Sequence, residues 1–165
     1  MAETWTIGIK YRRTDLISVL AAGTFAGAQL MIGVSFDAQR RAMSGAELPA
    51  SFAGDWINIA TAIIPFALLQ ALILPLALYF AWRDKPVRSL WAIGLATWLI
   101  NCTITAAYHF PVVSAAMQGE YAPSHMHAVV TQWVAVHWVR IVQGDGTFPF
   151  ALLATLRGHS PQSTH

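Results

Sequence analysis

Four apolar segments dominate this 165-residue chain. Each is long enough to cross a hydrocarbon core of roughly 30 Å at about 1.5 Å of rise per residue. They run from about Leu16 to Phe36, Trp56 to Trp82, Leu90 to Phe110 and Ala128 to Leu156. With 56% apolar and only 11% charged residues, the chain has too little polar surface for a soluble domain of this size. We therefore expect an all-α, integral membrane four-helix bundle, one domain over residues 1–157, with a short polar tail over 158–165. Pro65 and Pro75 should kink the second span, and Gly144, Asp145, Gly146 and Pro149 should bend or unwind the inner end of the fourth.

Of the ten basic residues, Arg140 alone lies well inside a span. Lys10, Arg12, Arg13, Arg83, Lys85, Arg88 and Arg157 fall on one side, and Arg40 and Arg41 on the other. That bias predicts both termini in the cytoplasm and location in the inner, cytoplasmic membrane. Loops from about Asp37 to Asp55 and from about Pro111 to His127 then face outward. Trp56, Trp82, Trp91 and Trp138 fall near span ends, where an interfacial aromatic belt is expected. The basic start, the apolar run and Ala26-Gly27-Ala28 imitate a secretory signal, but apolar sequence continues through Val34, so this segment is expected to be the first helix.

The net charge of +2 and a pI near 9.0 do not imply nucleic acid, because the basic residues flank spans and are explained by topology and lipid headgroups. A single cysteine, Cys102, excludes an internal disulfide and any multi-cysteine metal site.

Charge near the middle of a bilayer is costly, so Arg140 is expected to face a partner or a cavity. His137 shares its helix face and Trp133 lies one turn above. In the third span Asn101, Thr105 and His109 recur every four residues along one face. Asn101 and His137 both lie roughly 13 Å from the outer ends of their spans, so they are expected to meet inside the bundle. Gln29 and Asn58 are the polar residues that the first two spans add, as pocket groups or interhelical hydrogen bonds. Gly23 and Gly27 form a small-xxx-small pair suited to close helix approach. The interior is expected to be built mainly from the first, third and fourth spans.

Histidines offer a second chemistry. His109, His125 and His127 lie toward the outer side and, with nearby carboxylates, could hold zinc, copper or iron; His109 and His137 could together hold haem. Arg140 also has a structural reading, pairing with Asp145 or with carbonyls freed near Gly144, and His137 has one as a donor to a carbonyl.

Several stretches resemble the anthrone oxygenase-like family of small four-span membrane proteins. They are Ala22-Gly23-Thr24-Phe25-Ala26-Gly27 with Gln29 in the first span, Asn58, Pro65 and Phe66 in the second, and Thr105 with Pro111 in the third. Trp133-Val134-Ala135-Val136-His137-Trp138-Val139-Arg140 is similar to the family's pattern of tryptophan, then histidine or asparagine, then arginine. The chain departs from the family where Val112 and Val113, rather than an asparagine, follow Pro111.

The resemblance implies oxidation of an activated methylene in a tricyclic phenolic ketone by dioxygen, with no cofactor required. His137 would be the general base, Arg140 would stabilise the developing anion, and Asn101 and Trp133 would orient the ring system, with Thr105, Gln29 and Asn58 in the pocket. The expected partners are the bilayer and a lipophilic small molecule, with a homo-oligomer possible. The competing function is a non-catalytic subunit of a larger membrane complex.

Overall fold

A computed structural model describes residues 2–159, with side chains from residue 13 onward except those of residues 37 and 38. Six α-helices and one π-helical turn make an up-down-up-down bundle: α1 (Ala2–Ala42), α2 (Leu48–Phe80), α3 (Lys85–Ile104), the π-helix (Thr105–His109), α4 (Phe110–Met117), α5 (Pro123–Gly144) and α6 (Thr147–Gly158). No strand occurs among the described residues. Three stretches, Arg13–Ala42, Leu48–Phe80 and Lys85–Met117, are long and apolar enough to cross a membrane. The fourth apolar segment is divided between α5 and α6. Most of the expected tail, together with the side chains of Lys10, Arg12 and Asp37, lies outside the described residues.

Both expected outer loops are much shorter than the sequence suggested. The stretch through Arg40 and Arg41 contains good helix formers and no breaker before Gly45, so α1 continues to Ala42. Pro49 falls in the first turn of α2, where its missing N–H costs no helical bond. Only residues 43–47 remain as a connection. Within it, the Ser44 hydroxyl and backbone N–H both donate to Glu47, holding its carboxylate below the usual range.

The third span likewise runs on past Pro111. A proline inside a helix lacks a donor and crowds the carbonyl four residues earlier. The π-turn absorbs this locally, and the Phe110 N–H reaches back to the Thr105 carbonyl, so the helix continues to Met117. At its other end, Asp84 caps α3 by accepting from the Val87 N–H at 3.2 Å. α2 passes through Pro65 and Pro75 without interruption of its assigned helix.

The break in the fourth segment falls at Asp145 and Gly146, within the stretch expected to bend. Side chains on either side of the break tie it to α3. The Gln143 amide donates to the Thr97 carbonyl at 2.7 Å, and the Thr97 and Thr147 hydroxyls lie 3.0 Å apart.

Two apolar clusters form the core. One, at the end of the bundle that holds the α1–α2 connection, includes Leu48, Phe52, Met126, Val130 and Trp133, and the other, at the opposite end, includes Leu74, Ala77, Val87, Trp91 and Ala151. Trp91 is fully buried, because α6 covers it, whereas Trp82 is 62% exposed. Between the clusters lies a polar layer built on α1, α3 and α5.

The glycines that bring helices together are not all the expected ones. Gly27 faces open space and Gly23 meets the Phe148 ring. Closer approaches occur at Gly33, against Ile141, and at Gly144, where a Cβ would collide with the Asn101 side-chain nitrogen. Gly144→Ala should therefore push Asn101 out of place and lower stability by about 1–3 kcal/mol, an overpacking cost. Thermal unfolding in detergent checks this, and an unchanged midpoint would contradict it.

Candidate functional site

Gln29 is fully buried on α1 and joins three helices. Its side-chain Oε1 accepts from Arg140 Nε at 2.9 Å and from Asn101 Nδ2 at 3.3 Å. Its backbone carbonyl lies 3.2 Å from His137 Nε2. A carbonyl can only accept, so Nε2 carries the hydrogen, and in the neutral ring Nδ1 keeps the lone pair. Asn101 Nδ2 also donates to the Arg140 carbonyl at 3.1 Å. Arg140 Nη1 donates to the Thr105 hydroxyl at 3.0 Å, and that hydroxyl donates to the Asn101 carbonyl at 2.8 Å. The depth-matched meeting of Asn101 and His137 thus occurs through Gln29.

Arg140 is 8% exposed and has no carboxylate partner among the described residues; it does not pair with Asp145. Neutral oxygens occupy Nε and Nη1, leaving Nη2 without an acceptor among the described residues. A buried guanidinium stays charged, so an unbalanced positive charge borders the space beside it.

That space is a cavity of about 230 Å³. Asn101, Thr105, His137 and Arg140 line one side, and Trp133 and His109 continue it. His137 stacks on Trp133, with ring centres 5.3 Å apart and planes 9° from parallel. His109 meets both rings edge-on, at 5.1 Å from Trp133 and 5.7 Å from His137. Neither His109 nitrogen nor His137 Nδ1 has a hydrogen-bond partner among the described residues, and all three are enclosed by protein.

The far wall differs from the expectation that the first, third and fourth spans would dominate the interior. Phe52, Trp56, Ile59, Ile63 and Ala67 of α2 also line the cavity. Asn58 does not line it, because it is exposed on another face of α2. His125 and His127 are exposed near the start of α5, whereas His109 is buried. The three are not gathered, and no three His, Cys, Asp or Glu side chains among the described residues converge as metal ligands would.

Sequence reasoning missed Arg40. It is 1% exposed and borders the cavity. Its Nη2 pairs with Asp55 at 3.3 Å, and its guanidinium carbon lies 4.4 Å from the Phe52 ring centre and 5.1 Å from those of Phe36 and Trp133. The available signal was helical spacing, since Phe36 lies one turn before Arg40.

Because Gln29 satisfies donors from two other helices, its loss should cost more than the loss of one hydrogen bond. Gln29→Leu should destabilise the protein by about 2–4 kcal/mol by leaving Arg140 and Asn101 donors buried and unpaired. Arg140→Met in the Gln29→Leu background should recover part of that loss. A double-mutant cycle of unfolding free energies checks this, and strict additivity would contradict it. The chain matches no family model, no curated protein and no solved structure.

Proposed function

We propose that this chain is a membrane-embedded, oxygenase-like enzyme that oxidises a lipophilic aromatic small molecule with dioxygen. The observation that supports this most directly is Arg140, an uncompensated cation with a free Nη2 bordering an apolar, aromatic-rimmed cavity. Such a site favours a flat, greasy molecule carrying an acidic oxygen. A phenolate or enolate oxygen would sit on Nη2, where low polarity strengthens the attraction.

In this reading, a methylene next to a carbonyl loses a proton to His137 Nδ1, and the resulting enolate places its oxygen at Arg140. The enolate transfers electrons to dioxygen, a carbon–oxygen bond forms, and the hydroperoxide loses water. Overall, one CH2 and one O2 become one C=O and one H2O. Nδ1 holds the acceptor lone pair but is enclosed, so the surrounding rings must part for a substrate to reach it. Gln29 fixes the imidazole through Nε2, and Asn101 and Thr105 hold the layer in register. The pattern of tryptophan, histidine and arginine shared with the anthrone oxygenase-like family supports the same reading.

The membrane arrangement belongs to the proposal. Three apolar stretches and the divided fourth segment would cross the inner membrane, with both termini in the cytoplasm. Arg40 and Arg41 both lie in the last turn of α1, so the bias of seven basic residues against two is unchanged.

Purified protein supplied with anthrone in detergent should consume oxygen and form the quinone faster than spontaneous oxidation. His137→Gln retains a donor for the Gln29 carbonyl but has no basic nitrogen, and it should lose at least about 10²-fold in rate. Arg140→Gln should lose about 10²–10³-fold. A folded His137→Gln protein with full turnover would eliminate the base assignment, and no acceleration by the wild type would eliminate this substrate class.

A further inference from the structure

The cavity wall on the α2 side reaches the surface. Ile64 and Phe110 both line the cavity, yet they are 46% and 45% exposed. Cys102, also in the lining, is half-buried. The cavity therefore extends outward between α2 and the α3–α4 segment. On α2 the gap is flanked by Ala60, Ile64 and Ala67, which recur at helical spacing, and two small side chains leave a groove there. On the other side, the π-turn reshapes the helix between Thr105 and His109. Trp56 and Phe110 meet edge-on, with ring centres 5.3 Å apart, and bridge the gap.

The surroundings of this gap are apolar. Leu68 is 61% exposed and Leu99 50%, and between Trp56 and Phe80 α2 carries no charged residue. An opening here faces hydrocarbon rather than water. The cavity, at about 230 Å³, is also smaller than the roughly 300–1,000 Å³ usual for complete ligand pockets. It holds a ring system but not a long chain as well.

Building on the reading of Arg140 as an anion anchor, we propose that the ligand is a membrane-partitioned aromatic acid with an apolar tail. It enters laterally between α2 and α4, with its acidic oxygen on Arg140 and its tail passing out between Ile64 and Phe110 into the lipid. Trp56 and Phe110 part to admit the ring and close behind it. Charge complementarity selects the head, and the lateral gap selects a molecule already dissolved in the bilayer.

The test uses the full chain reconstituted in liposomes and a 4-decylbenzoate bearing a photoreactive diazirine in its tail close to the ring, with its methyl ester as control. Crosslinks should concentrate on peptides around Ile64 and around Phe110. They should fall by about tenfold or more for the methyl ester and for Arg140→Gln, the effect of losing a charge-assisted hydrogen bond. Ile64→Trp, a change at a partly exposed apolar position, should fill the gap and reduce them several-fold while leaving Arg140 in place. Crosslinks that need Arg140 but are indifferent to Ile64→Trp would overturn lateral entry and leave the anion anchor standing. Crosslinks spread over the apolar surface and indifferent to Arg140→Gln would overturn the proposed ligand and, with it, the anchor.

Discussion

The structure depends on the hydrogen bonds that converge on Gln29. A guanidinium inside a helical bundle is stable only where its donors are met, and no carboxylate among the described residues meets those of Arg140. One carboxamide oxygen accepts from Arg140 and Asn101, and the adjoining backbone carbonyl accepts from His137. Three helices are thereby fixed at one depth. The apolar clusters on either side of this layer could tolerate sliding, since greasy surfaces match one another in many registers. The polar layer cannot slide without stranding a charge.

Fixing the layer in this way also limits what it can do. Gln29 and Thr105 satisfy Arg140 only in part, so Nη2 remains available at the cavity wall. Trp133, His137 and His109 form a packed aromatic column along the same wall, and α2 supplies the opposite, nearly featureless side. Recognition is therefore polar at one edge and apolar elsewhere. That division suits an amphiphile.

Much of this layer was legible in the sequence because depth and helical spacing are nearly one-dimensional properties in a membrane bundle. Gln29, Asn101, Thr105, Trp133, His137 and Arg140 could be placed on faces and at levels before any coordinates. Asn58 could not, because periodicity does not say which side of an almost wholly apolar helix faces inward. Arg40 was assigned to a loop because hydropathy falls before the helix ends, although helix propensity carries α1 past it. Gly144 looked only like a breaker, whereas the lack of a side chain there also makes room for Asn101. The continuation through Pro111 depends on a π-turn that no local residue pattern announced.

The most direct test of the account is the affinity of the wild-type protein and of Arg140→Gln for 9-anthroate, followed by fluorescence in detergent. Binding at one site is expected in the wild type, with a loss of about tenfold or more in the variant, because the carboxylate would lose its charge-assisted bond inside the cavity. Equal affinities would mean that Arg140 serves the bundle alone and that the cavity has no anion site.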